Sequence, residues 1–109
     1  MTPSYKRKKA QVLVEWVVDR LQIVYPEFEI EVPKTSDHGE DLPLPAELRQ
    51  MLPVSFEMKN QRSYGHAYSD MDQCVKNSLG YTPILVVKYP HKDPLVIMRW
   101  QDYEKTLGV

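Results

Sequence analysis

The chain holds a single cysteine, Cys74, among its 109 residues. One thiol excludes an internal disulfide and any cysteine-rich zinc site. No apolar run approaches the length of a membrane span, so no membrane partner is expected. The first residues also lack the charged-then-apolar pattern of a secretory signal, and an intracellular protein is the expectation. A surplus of one charge sign is missing as well. Fourteen Lys and Arg stand against 15 Asp and Glu, a formal net charge of −1, which gives no global support for a polyanionic partner. What is present is 42% hydrophobic and 27% charged residues, the composition of one soluble globular domain over residues 1–109. There is no internal repeat, linker or low-complexity segment.

Charge is unevenly spread. Lys6, Arg7, Lys8 and Lys9 open the chain without an acid among them. Residues 27–47 carry Glu27, Glu29, Glu31, Asp37, Glu40, Asp41 and Glu47 against Lys34 alone. A solvated basic arm is the ordinary meaning of such a run. Beside an acidic patch that a divalent cation partly neutralises, the arm becomes a candidate DNA contact.

Hydrophobic spacing predicts a helix over 8–24, with Leu13, Trp16/Val17, Leu21 and Val24 in one row and Val14 and Val18 in a second. Tyr25-Pro26 ends it, because the residue before proline avoids the helical region. Phe28-Glu-Ile-Glu-Val32 alternates apolar and acidic residues, the pattern of a strand with one wet face. Asp41-Leu42 begins a second short strand, limited by Pro43 and Pro45. Pro45 to Met51 gives one or two helical turns. Val54 to Met58 reads as a buried strand. A second helix covers 66–78, with Ala67, Met71, Cys74/Val75 and Ser78 inward and Gly80 as its stop. Thr82–Lys88 and Leu95–Arg99 form a hairpin across a turn-rich connection. A closing helix begins near Gln101. Trp16 and Trp100 are expected in the core, as is Cys74. The order is α-β-β-(α)-β-α-β-β-α, a mixed central sheet flanked by helices in an α/β domain.

The chemistry gathers at Pro53-Val-Ser-Phe-Glu-Met-Lys-Asn-Gln61. Successive strand side chains alternate in direction, so Glu57 and Lys59 share one face and Met58 takes the other. Sixteen residues before Glu57 stands Asp41, within His38-Gly-Glu-Asp-Leu42. An Asp followed by Glu-x-Lys on the next strand resembles the active-site pattern of the PD-(D/E)xK nucleases, and the order of elements is similar to the restriction-endonuclease-like core. The resemblance covers most of the chain. Its wording through residues 36–61 is similar to small phage-type and Holliday-junction-resolvase-like members. A bare D…ExK occurs by chance, and Glu57 and Lys59 alone would equally form a same-face ion pair; the element order adds the weight.

The resemblance implies a Mg²⁺- or Mn²⁺-dependent deoxyribonuclease. Asp41, Glu57 and the carbonyl of Met58 would hold the metal, and Lys59 would face the scissile phosphate. Glu40 is the rival of Asp41. Neighbours on an extended segment point apart, and the resemblance aligns the second acid with the catalytic position. Glu15 on the first helix is a further catalytic candidate by the same resemblance, against a plain surface position beside Asp19 and Gln22. Gln61, Arg62, Gln73 and Lys76 are candidate DNA contacts, with Lys6–Lys9. His38 and His66 are candidate proton carriers that a metal mechanism does not need. Tyr64 and Tyr68 either stack on bases or pack on the sheet. The leading expectation is a structure-specific endonuclease on branched DNA, working as a homodimer. The alternatives are a non-catalytic DNA- or protein-binding module on the same fold, and a sequence-preferring homing or mismatch-type nuclease.

Overall fold

A computed structural model describes residues 3–33, 40–61 and 65–108, with α1 side chains from Lys9 onward. Helix α1 runs Pro3–Val24, longer at its start than the apolar spacing indicates. Leu13, Val14, Val17 and Val18 are buried on one side of it. It is rich in β-branched residues, which favour helix weakly, so burial of this face rather than propensity holds it. The helix stops at Tyr25-Pro26, where the Tyr25 N–H still donates to the Leu21 carbonyl at 2.8 Å.

The expected strand at Phe28–Val32 is not one: these residues have no strand partner. The side chain of Gln22 takes their backbone groups instead. Its amide donates to the Tyr25 carbonyl at 3.1 Å and to the Phe28 carbonyl at 2.5 Å, and its oxygen accepts from the Ile30 N–H at 3.2 Å. Gln11 donates to the Pro33 carbonyl at 3.2 Å. The alternation still sorts the side chains, since Ile30 is buried and Phe28 and Val32 pack on the α1 core. Alternation therefore reported a face, and a side chain of the preceding helix answered the hydrogen bonds that a neighbouring strand would have met.

The second expected strand is reduced to an isolated antiparallel bridge between Leu42 and Phe56. Helix α2, Ala46–Met51, follows. Strand β1 is Val54–Asn60, α3 is Ala67–Asn77, β2 is Thr82–Lys88, β3 is Leu95–Ile97 and α4 is Trp100–Lys105. The three strands form one mixed sheet in the order β1-β2-β3. β1 and β2 are parallel, which requires the crossover that α3 supplies. β2 and β3 are antiparallel. β3 ends at Ile97, two residues before the expected boundary. The architecture is thus a small mixed sheet with four helices among the described residues. No helix of these residues is long and apolar enough to cross a membrane.

The sheet has two unlike faces. Val54, Phe56 and Met58 of β1, with Ile84 and Val86 of β2, pack against α1 and Leu42, Leu44 and Leu48. Leu85 and Val87 turn to the other side, onto Met71 and Cys74 of α3. The larger cluster dominates stability, at about 1.5–3 kcal/mol for each fully buried large apolar side chain. Two expected core residues lie elsewhere: Trp16 is 45% and Trp100 66% exposed. Trp16 sits at the edge of the buried α1 face, and Trp100 opens α4 in ring contact with Tyr103 at 5.4 Å.

Candidate active site

The bridge between Leu42 and Phe56 sets the site. It holds residues 41–42 along the outer edge of β1, the edge that β2 leaves open. The backbone groups of Phe56 and Met58 point to that edge, whereas those of Ser55, Glu57 and Lys59 point to β2. The Met58 N–H meets Asp41 there, donating to Oδ2 at 2.8 Å. One strand residue directs its N–H and C=O to the same side, so the Met58 carbonyl also faces the Asp41 edge.

The carboxyls of Asp41 and Glu57 hydrogen-bond to each other. Glu57 is 8% exposed. Burial, and then the neighbouring charge of Asp41, push its carboxyl up to about 7, against opposing pulls from Lys59 and a hydrogen bond from Asn77. The Lys59 amine stands 3.9 Å from Glu57 Oε2 and 3.8 Å from Asp70 Oδ1. Asp70 Oδ2 is buried and has no hydrogen-bond partner.

Glu40 is directed away from this group and pairs with Arg49 of α2, whose guanidinium lies 4.3 Å from the Tyr81 ring centroid. Neighbouring acids therefore separate, one to α2 and one to the motif strand. Cys74 lies beneath the site, its thiol 3.9 Å from the Ser55 carbonyl. Burial and the charge of Glu57 push that thiol up to about 12, so it is an inert small hydrophobe.

No family model matches the chain, and no curated protein or solved structure matches it. Function must be read from the site itself.

The other residues singled out from the sequence scatter. Glu15 is exposed on α1 and has no ion pair among the described residues. Gln61 directly follows β1, its N–H donating to the Lys88 carbonyl at 3.0 Å. Gln73 and Lys76 are both exposed on α3. Lys9 is half-buried, its carbonyl accepting from the Asn60 amide at 2.8 Å. His66 is exposed just before α3, and Tyr68 is 91% exposed rather than packed on the sheet. The side chains of Lys6, Arg7 and Lys8, and residues His38, Arg62 and Tyr64, lie outside the described residues.

Two residues that sequence reasoning passed over do reach the motif: Asp70 and Asn77. They stand four residues before and three after Cys74, so all three share one row of α3. A helix packed over a strand that carries Glu57 and Lys59 needs polar residues on the row between its apolar face and solvent, and that spacing was the available signal.

Two carboxylates and a carbonyl on one edge are all hard oxygen donors, suited to Mg²⁺ or Mn²⁺. Among the described residues, no three His, Cys, Asp or Glu side chains come together to hold a metal. Mg²⁺ commonly keeps several waters and takes only one or two carboxylates, so the pair suits that ion better than a cation needing a full protein cage. The raised Glu57 carboxyl has the same meaning: two acids are pressed together with too little positive charge beside them.

Proposed function

We propose that the chain is a metal-dependent endonuclease acting on DNA, a small PD-(D/E)xK-type member with a restriction-endonuclease-like core. One observation carries the reading. Asp41, from a separate segment, is hydrogen-bonded to Glu57 and to the Met58 N–H, with the Lys59 amine 3.9 Å from Glu57. The sequence pattern alone would be met by a surface Glu–Lys pair, which does not require a second acid pressed against the glutamate in a buried position.

Asp41 and Glu57 would hold Mg²⁺ or Mn²⁺, with the Met58 carbonyl on the same edge. When bound, such an ion stabilises phosphate charge and supplies an activated water. Lys59, on the Glu57 face of β1, neutralises charge on the phosphate and orients the attacking group. The amine is preorganised by two flanking carboxylates, so little reorganisation is needed when the phosphate arrives. Branched DNA is the substrate we favour and a homodimer the working form, since two cuts in one junction call for two copies of the Asp41–Glu57–Lys59 site.

Cleavage of single-stranded, duplex and four-way-junction DNA in Mg²⁺ or Mn²⁺ tests this, with Asp41→Ala as the control. Paired nicks across the junction that vanish in the variant are the expected result. Equal cutting of all three substrates keeps the active site and removes the preference for branches. A second reading, a non-catalytic binding module on this fold, is favoured by the Lys59 amine lying between Glu57 and Asp70, an arrangement that also serves as a plain ion-pair network. It requires that no substrate is cut and that Mn²⁺ does not raise the melting temperature.

A further inference from the structure

Lys59 and its neighbour Asn60 leave β1 on opposite faces of the sheet. Lys59 goes to the α3 side. Asn60 goes to the α1 side, where it lines a cavity of about 250 Å³ with Trp16, Lys88, Lys92 and Asp93 among its walls. The cavity therefore opens at the C-terminal ends of the parallel strands β1 and β2, where α/β sheets bind ligands.

Three features of its rim point to a ligand. Trp16 is 45% exposed at the cavity, with the Arg20 guanidinium 5.9 Å from its ring centroid. Lys9, Trp16 and Arg20 follow at spacings of seven and four residues, which places them in one row of α1. Of the α1 acids, Glu15 stands about 100° round the helix from Trp16, whereas Asp19, three residues on, is its neighbour at about 60°. Finally, Lys9, Arg20, Lys88 and Lys92 form no ion pair with a carboxylate among the described residues. Lys88 donates to the Tyr89 carbonyl at 2.6 Å, and Asp93 is the acid in the cavity wall. Four cations around an exposed indole, against the two acids Asp19 and Asp93, suit a polyanion that carries flat apolar rings.

We propose that this cavity binds an unpaired nucleotide of a DNA strand, its base against Trp16 and its flanking phosphates against Lys9, Arg20, Lys88 and Lys92. The inference rests on the nuclease reading for the identity of the polyanion. It makes the end of β1 a divide: Lys59 serves the phosphate to be cut, and Asn60 faces the nucleotide bound beside it. Flaps and opened branch points in DNA present an unpaired nucleotide of this kind.

The test is binding in EDTA at low salt, where nothing can be cut. The chain has two tryptophans, Trp16 and Trp100, so Trp100→Phe isolates the Trp16 emission. An oligo-dT strand is expected to quench that emission saturably. By anisotropy of a labelled oligo-dT, Trp16→Ala is expected to weaken binding about 10-fold, and Trp16→Phe to restore it to within about 3-fold, which separates stacking from misfolding. Lys88→Ala with Lys92→Ala is expected to lower the slope of log affinity against log salt by about 1.4. Unchanged Trp16 emission, or Trp16→Ala binding as wild type does, overturns the proposal. Tighter binding of oligo-rU than of oligo-dT overturns the assignment to DNA. Binding that persists in a chain unable to cut any substrate leaves this site standing and removes the nuclease reading; cutting without Trp16-dependent binding does the reverse.

Discussion

The two faces of β1 are built from alternate residues of one seven-residue strand, yet they do different work. Val54, Phe56 and Met58 enter the larger apolar cluster under α1. Ser55, Glu57 and Lys59 turn toward α3, where the cluster is limited to Met71, Cys74, Leu85 and Val87 with Ile97 at its edge. On the first face every buried side chain lowers the free energy of the folded chain. On the second, a buried carboxyl sits against another acid with its proton held to about 7, which no requirement of stability demands. A period-2 strand lets one face secure the fold while the other tolerates an unfavourable group.

The comparison breaks most visibly by truncating the apolar face. Phe56→Ala should destabilise by about 3–5 kcal/mol, enough to lower the melting temperature by more than about 12 °C for a domain of this size. Thermal unfolding by circular dichroism reads it. The polar face should respond in the opposite sense. An unfolded Glu57 loses its proton near 4.5 and the folded one near 7. Between those values the folded chain binds more protons than the unfolded chain. Its stability contribution therefore falls as pH rises through that window and stays low above it. Glu57→Gln removes the cost, and is expected to stabilise by on the order of 1–2 kcal/mol above about pH 8 and not at all below about pH 4. Melting curves across that range would show the divergence; a uniform loss of stability would contradict it. The smallest effect sharpens the α1 side. Gln22→Ala frees the backbone groups of Tyr25, Phe28 and Ile30 and should cost about 1 kcal/mol, with faster hydrogen exchange at the Ile30 amide.

The sequence disclosed the elements whose pattern and partner coincide. α1 and α3 show helical spacing and β2 a continuous apolar run, and Gly80, at φ +86°, ends the turn after α3 as its position suggested. Phe28–Val32 misled because alternation says which side chains are inward and nothing about what meets the backbone; a single glutamine decided that. Trp16 and Trp100 misled because an apolar ring at a row's edge counts as core by spacing, and both are exposed. In the site, Asp41, Glu57 and Lys59 are brought to one edge of one strand, with Glu40 drawn off by Arg49. Asp70 and Asn77 were passed over because a polar helix position reads as solvated, although their shared row with Cys74 marked them as neighbours of the strand that carries Glu57 and Lys59. Gln73 and Lys76, on the same helix, are exposed.

Lys59→Ala is the variant on which the central claim turns, measured together for melting temperature and for Mg²⁺-dependent cleavage of a four-way junction under single-turnover conditions. Its ion pairs with Glu57 and Asp70 are loose, at 3.9 and 3.8 Å, but both carboxyls are largely buried, so removing the amine should cost about 1–3 kcal/mol, less than Phe56→Ala. Loss of charge stabilisation at the phosphate should lower cleavage by about 100-fold or more. A variant that still folds cooperatively, with cleavage lost, is the expected result. Cleavage at the wild-type rate, or a collapse of the fold without the amine, would make Glu57 and Lys59 a structural ion pair and contradict the division of labour across β1.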